Sequence, residues 1–346
     1  VSITGGDLSS ATVMGGSLSD YAGHYKENGV RESVVFGSTD VSISGGKIGT
    51  VVGGGLARYY NEQAASEVTD DKPSSTVQGR THVQISGGET GDVIGGGLAV
   101  SNQSDLGAIA TVTGESLVEV SGGIITGDVI GGGLAQGKAD APLDGTANIV
   151  ISNGAIKGNV YAGGYADGDG LGSACAAVDQ ANMTISGGTI EGSVYAGGAA
   201  LNGGTADVED FDVRITGGTI KGNVVAGNDT GETPETKAVV LKTSPSKGTA
   251  DKGGTITIGG DATIGGKVDA SAGGVATNVV VDGADATVTG GYEGNKDSTL
   301  TFNNYDDKFD NVAYGFGTLN VAEGSNVRMD AVVSGKQGTA PEDPQT

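Results

Sequence analysis

The sequence predicts an all-β fold, a parallel β-helix (β-solenoid) of about nine coils with one-sided loop insertions and a C-terminal cap. Three observations predict it. One stretch recurs: 181–198 reads Ala-Asn-Met-Thr-Ile-Ser-Gly-Gly-Thr-Ile-Glu-Gly-Ser-Val-Tyr-Ala-Gly-Gly, and 211–227 repeats it. Further copies occupy 39–57, 81–99, 116–135 and 147–166, with looser ones at 1–18, 255–270 and 277–291. A repeat of this length means an array in which each unit buries its apolar face on its neighbours. The second observation is the period. Val83/Ile85, Val118/Val120, Ile149/Ile151 and Ile256/Ile258 alternate by two, and no segment shows helical spacing. The third is glycine, 67 of 346 residues, without the every-third spacing of collagen.

The Val-x-Ile strand places Ile3, Ile43, Ile85, Val120, Ile151, Ile185, Ile215, Ile258 and Val281 at equivalent positions. Steps between them run from 23 to 43 residues, a minimal coil carrying insertions. Each coil then has three short faces: this strand, an x-Ile-x segment and an x-Val-x segment. Stacking puts Ile on Ile and Val on Val, and nine coils make a rod of about 40 Å. Gly45-Gly46, Gly87-Gly88, Gly122-Gly123, Gly187-Gly188 and Gly217-Gly218 form one corner. Such bends need positive φ or an approach too close for a Cβ. Asn153-Gly154 takes the same place, and Asn tolerates the left-handed region. Gly53–Gly55, Gly95–Gly97, Gly131–Gly133, Gly163-Gly164 and Gly197-Gly198 form the second corner, where Tyr161, Tyr165 and Tyr195 are expected to stack.

Length varies after that second corner, at roughly 19–38, 58–80, 100–115, 136–146, 167–180, 200–210 and 229–253. These polar inserts are expected to form a fringe of loops along one edge, where binding usually resides. Arg58-Tyr59-Tyr60-Asn61 opens one of them. Tyr59 and Tyr60 are candidate ligand-binding anchors if exposed, or fold back on the solenoid. The repeats fill 1–294. Residues 295–333 concentrate three of the five Phe and read as a capping segment. Residues 334–346 have no apolar period and read as a flexible tail.

Hydrophobic residues make up 36% and aromatics 4%, with no Trp, which is too little bulk for one large globular interior. A formal charge of −23 repels phosphate backbones and anionic lipid, so nucleic acid is excluded as a partner. Cys175 is alone, so no intrachain disulfide forms. No apolar run approaches the ~20 residues of a membrane helix. Val1 begins inside a repeat without a signal peptide, the expectation for a segment of something longer.

Chemistry is sought on the outward column Ser2, Ser42, Gln84, Glu119, Val150, Thr184, Arg214, Thr257, Val280. Glycoside hydrolysis needs two carboxyl groups roughly 5–9.5 Å apart. Glu119 lies between Gln84 and Val150, so no pair forms, and no catalytic residue is assigned. Asp167-Gly-Asp169-Gly resembles the start of a calcium loop, yet it lacks the third oxygen ligand and the distal Glu. Asp167 and Asp169 are weak metal candidates and an ordinary polar turn. Gly265-Gly266-Lys267-Val268 lacks the spacing of a phosphate loop. His24 and His82 stand far apart without partners and are expected on the surface. No cofactor is implied.

The Ile-Ser-Gly-Gly-x-Ile-x-Gly-x-Val-Tyr-Ala-Gly-Gly repeats resemble passenger regions of bacterial autotransporter adhesins. The segment Gly315–Val327 is similar to the junction near the end of such passengers. The resemblance covers nearly the whole chain, on low-complexity motifs. It implies a right-handed β-helix at the bacterial cell surface, outer membrane-tethered or secreted. It also implies a non-enzymatic adhesin or stalk that presents loops to host proteins, glycans or sister cells. The family's membrane barrel, with strands of about ten alternating residues, is not seen in this sequence, so attachment is implied by the resemblance alone. Two alternatives stand beside this reading: a polysaccharide-active lyase or hydrolase, and a self-assembling surface filament module.

Overall fold

The computed structural model describes residues 1–22, 32–60, 72–102, 107–168, 174–231, 253–272 and 276–329. Among the described residues the chain is all-β, 62% strand with no helix, and its sheets are parallel, consistent with a solenoid. One sheet holds 26 strands, a second six and a third two.

The stacking follows the repeat. Ile3 pairs with Ile43, Ile43 with Ile85, Ile85 with Val120 and Val120 with Ile151. The column continues through Ile185, Ile215, Ile258 and Val281. Two residues earlier, Val41, Val83, Val118, Ile149, Met183 and Val213 form a parallel file. Ile125, Ile156, Ile190, Ile220 and Ile264 line the second face, and Val51, Val93, Val129, Val160, Val194 and Val224 the third. These side chains, apart from the half-buried Ile3, are buried in one cluster along the stack. A strand points alternate residues to opposite faces, so a narrow interior is filled mainly by the branched positions.

The second glycine of each first-corner pair has positive φ: Gly46 at 91°, Gly88 at 81°, Gly123 at 83°, Gly188 at 86°. Asn153 does not occupy that region. Gly154 does, with φ 107°, so tolerance of left-handed backbone is not what admits Asn there. The second corner needs glycine for a different reason, close approach: a Cβ on Gly96 would stand 2.7 Å from the Gly133 nitrogen.

The repeat pairing continues into the segment read as a cap. The pairing register runs across residue 295: Val281 pairs with Phe302, and Phe302 with Val321. Phe302, Tyr305 and Phe309 therefore pack as a continuation of the buried column, with ring centroids 4.9 Å apart for Phe302–Phe309. The tail 334–346 lies outside the described residues.

The inserts, in turn, are not merely loops. Leu18–Ala22, Leu56–Tyr60, Leu98–Ser101, Leu134–Gly137, Tyr165–Asp167 and Ala199–Leu201 form the six-stranded parallel sheet. The chain returns through Glu32–Val35, Ser74–Val77 and Ala108–Val112, which join the main sheet. Between the two layers lies a second core made almost wholly of alanine, including Ala57, Ala99, Ala110, Ala135, Ala141 and Ala176. Small side chains let the outgoing and returning strands approach closely. A Cβ on Gly97 would meet the Ala110 carbonyl oxygen at 2.5 Å. The inserts thus build a flank, in register from repeat to repeat.

Candidate functional site

The outward column of the main strand stacks as expected, with Glu119 between Gln84 and Val150 and Arg214 between Thr184 and Thr257. The neighbouring outward column holds a constellation that spacing did not suggest. Asp40 pairs with His82, and His82 with Leu117. His82 Nδ1 lies 2.7 Å from Asp40 Oδ1, and its Nε2 lies 2.8 Å from Glu119 Oε2. His82 is therefore partnered, contrary to expectation, and ties three successive strands together. The two carboxylates approach opposite ring nitrogens, so they do not converge on a shared point. His24 lies outside the described residues.

The predicted anchor tyrosines part company. Tyr59 is 2% exposed, turned into the alanine core, and Tyr60 is 47% exposed. Strand alternation sends consecutive residues to opposite faces, so a Tyr-Tyr pair in Leu56–Tyr60 cannot present both rings. Arg58 faces outward and grips Asp20 of the preceding repeat through Nε, 3.1 Å from Oδ1, and through Nη2. Asp167 ends the strand Tyr165–Asp167 and accepts a hydrogen bond from Asn202 Nδ2 at 2.8 Å. Asp169 lies outside the described residues. Among the described residues no group of three or more His, Cys, Asp or Glu could hold a metal ion. Lys267, in the rejected phosphate-loop motif, pairs with the buried Asp269 at 3.0 Å and with Glu293.

A further cluster of side chains lies where the chain turns from the main sheet into the flank sheet. Two files meet in this crook. One runs Val52, Ile94, Ile130, Tyr161, Tyr195; the other Leu56, Leu98, Leu134, Tyr165, Ala199. Val52, Ile94, Ile130 and Tyr161 are buried as a cluster, with Leu98, Leu134, Tyr165 and Tyr195 half-buried against them. Tyr161 and Tyr195 stack with centroids 5.1 Å apart, and Tyr165 meets Tyr161 edge-on at 5.7 Å. The expected tyrosine ladder is present.

Beside it runs a polar staircase. The Asp128 amide donates to Asp92 Oδ1 at 2.9 Å, Asn159 to Asp128 Oδ1 at 2.7 Å, and Ser193 to Asn159 Oδ1 at 2.8 Å. Asn223 continues it to Ser193 Oγ at 3.0 Å, and Lys267 to Asn223 Oδ1 at 2.9 Å. Each side chain satisfies the backbone of the next repeat at a turn that would otherwise lack an acceptor.

The Tyr161 hydroxyl donates to Asp229 Oδ2 at 2.9 Å and accepts from Asn159 Nδ2 at 2.9 Å. Burial, reinforced by Asp229 and Asp128, pushes its ionisation far up. Burial pushes Tyr165 up to about 12, with Asp128, Asp167, Asp229 and Asp92 adding to it. Tyr195 also rises to about 12, through burial and then Asp229. Burial holds the Asp128 carboxyl above its ordinary range; the Asn159 amide opposes this, and Asp92 and Asp229 reinforce it. Elsewhere carboxylates meet cations, as in Lys157–Glu191–Lys221. Among the described residues Asp92, Asp128 and Asp229 form no ion pair. The crook therefore combines aromatic faces, an apolar floor and uncompensated negative charge.

Comparisons with protein-family models, with curated proteins and with solved structures found no match to this chain.

Proposed function

We propose that the stacked strands form a right-handed β-helix of about nine glycine-cornered coils, extended by the aromatic repeats after 295. The chain serves as a non-enzymatic extracellular adhesin or stalk of the autotransporter-passenger type. It meets a host surface protein, a glycan or a neighbouring cell through its flank. The observation that carries this reading is the flank sheet. Its inner face buries mainly alanine, which yields little hydrophobic stabilisation per residue. What the added strands do create is a continuous outer face, with Leu98, Leu134 and Tyr165 half-buried in one file. A surface in register over several repeats suits an extended partner better than isolated loops would.

The test is a cell- and glycan-binding assay on the chain and on the double variant Leu98→Asp, Leu134→Asp. Both positions are half-buried, so the thermal melt checks that the fold survives. Binding is expected to fall about tenfold or more, roughly 1.4 kcal/mol, at a similar melting temperature. Undiminished binding by a folded double variant removes the flank as the contact surface.

A further inference from the structure

We propose that the tyrosine crook docks a basic, extended segment of a partner protein, an arginine or lysine head lying against Tyr165 or Tyr195 with Asp92, Asp128 and Asp229 supplying the counter-charge. This rests on the reading of the flank as a binding face and names the partner's chemistry. The argument starts from the staircase. Its turn positions need only an acceptor for the next repeat's amide, and Asn159, Ser193 and Asn223 supply one without charge. Asp92 and Asp128 do the same work with carboxylates, placed so that Asp92 opposes the ionised form of Asp128. Asp229 adds a third charge through its contact with the Tyr161 hydroxyl.

Backbone geometry does not ask for this charge. Charge set beside aromatic rings does answer to a cation, because ring faces and carboxylates attract the same ligand, and desolvation at a half-buried site strengthens both. The two files of the crook run parallel to the stacking direction, so an extended chain with regularly spaced basic residues can lie along them.

The experiment is fluorescence anisotropy with a labelled peptide of alternating arginine and serine, against glutamate-serine and serine-only peptides of equal length. Three variants of the full chain are compared. Asp128→Asn keeps the acceptor for the Asn159 amide, Tyr195→Leu removes a ring, and Asp285→Asn changes the net charge equally at an exposed acid elsewhere. Asp128→Asn and Tyr195→Leu are expected to weaken arginine-peptide binding about tenfold, and Asp285→Asn less than twofold. A melting temperature for Asp128→Asn equal to or above that of the parent shows that its loss is not unfolding.

Equal weakening by Asp128→Asn and Asp285→Asn overturns the proposal, since the general field then explains the binding. Equal affinity for the serine-only peptide overturns it in favour of a neutral occupant. Self-association that Tyr195→Leu abolishes overturns it in favour of a second copy of the chain. If the Leu98/Leu134 variant loses cell binding while arginine selectivity fails, the adhesive reading stands and the cation assignment falls. If arginine selectivity holds while that variant binds cells normally, the cation assignment stands and the adhesive reading of the flank falls.

Discussion

Thr90 stands in a file that is otherwise aliphatic, pairing with Ile48 on one side and Ile125 on the other. It is 1% exposed, and its hydroxyl has no hydrogen-bond partner. A buried hydroxyl left unpaired costs roughly 1–3 kcal/mol. Thr90→Val keeps the shape and removes the polar atom, so stability is expected to rise by about 1 kcal/mol. The check is the urea midpoint, which should move up at unchanged slope; a midpoint that falls means the hydroxyl is satisfied. At this scale the sequence was most legible in its glycines. Positive φ at the second residue of each Gly-Gly pair follows from what only glycine adopts cheaply. Asn153 misleads because the same dipeptide serves two needs. Its first position lies under the previous repeat's carbonyl, as a Cβ on Gly187 would show at 2.3 Å from the Ser152 oxygen, and only its second position is left-handed.

At the scale of the element, the main strands could be read from alternation alone, and their register followed from aligning Ile with Ile. The flank could not be read that way. Leu56-Ala57, Leu98-Ala99, Leu134-Ala135 and Tyr165-Ala166 recur just after the second corner, and Ala108-x-Ala110, Ala139-x-Ala141 and Ala174-x-Ala176 answer them. Alanine is a weak strand former, so these segments look like polar loops until their stacking is known. That repetition was the missed signal. His82 was missed for a related reason, because its partners lie about forty residues away, one repeat back and one forward. The tyrosines carry this scale's prediction. Tyr165 and Tyr195 each rise from 10.0 to about 12. A phenol whose folded value exceeds its unfolded one adds stability below pH 10, and that stability is lost as pH climbs from about 10 through 12. Tyrosinate absorbance of the folded chain should therefore lag behind that of the denatured chain. Replacing both residues with Phe should shrink the loss of thermal stability over this window. Phenols that all ionise together at the ordinary value in the folded chain would refute the burial argument.

In the whole molecule, order comes from neighbours rather than from a central mass. Each repeat touches the one before and the one after, so stability approximates a sum of nearest-neighbour terms. Position along the rod then decides how much a lost side chain matters. Ile151 is 1% exposed with partners on both sides, Val120 and Ile185. Ile3 is half-buried and pairs with Ile43 on one side. Ile151→Ala should cost about 2–5 kcal/mol. Ile3→Ala should cost well under half of that, because less apolar area is removed from the interior. Native-state hydrogen exchange would separate the two consequences. Amides of Thr39–Val52 through Val208–Ile220 should exchange only by opening of large blocks, and Ile151→Ala should weaken their protection together. Ser2–Met14, exposed along most of its length, and Thr318–Val321, exposed throughout, should exchange earliest, and Ile3→Ala should change the first of these alone. Uniform protection from end to end, or equal costs for the two substitutions, would mean that the chain folds as one indivisible unit. A stacked array held by its files of isoleucine and valine does not behave that way.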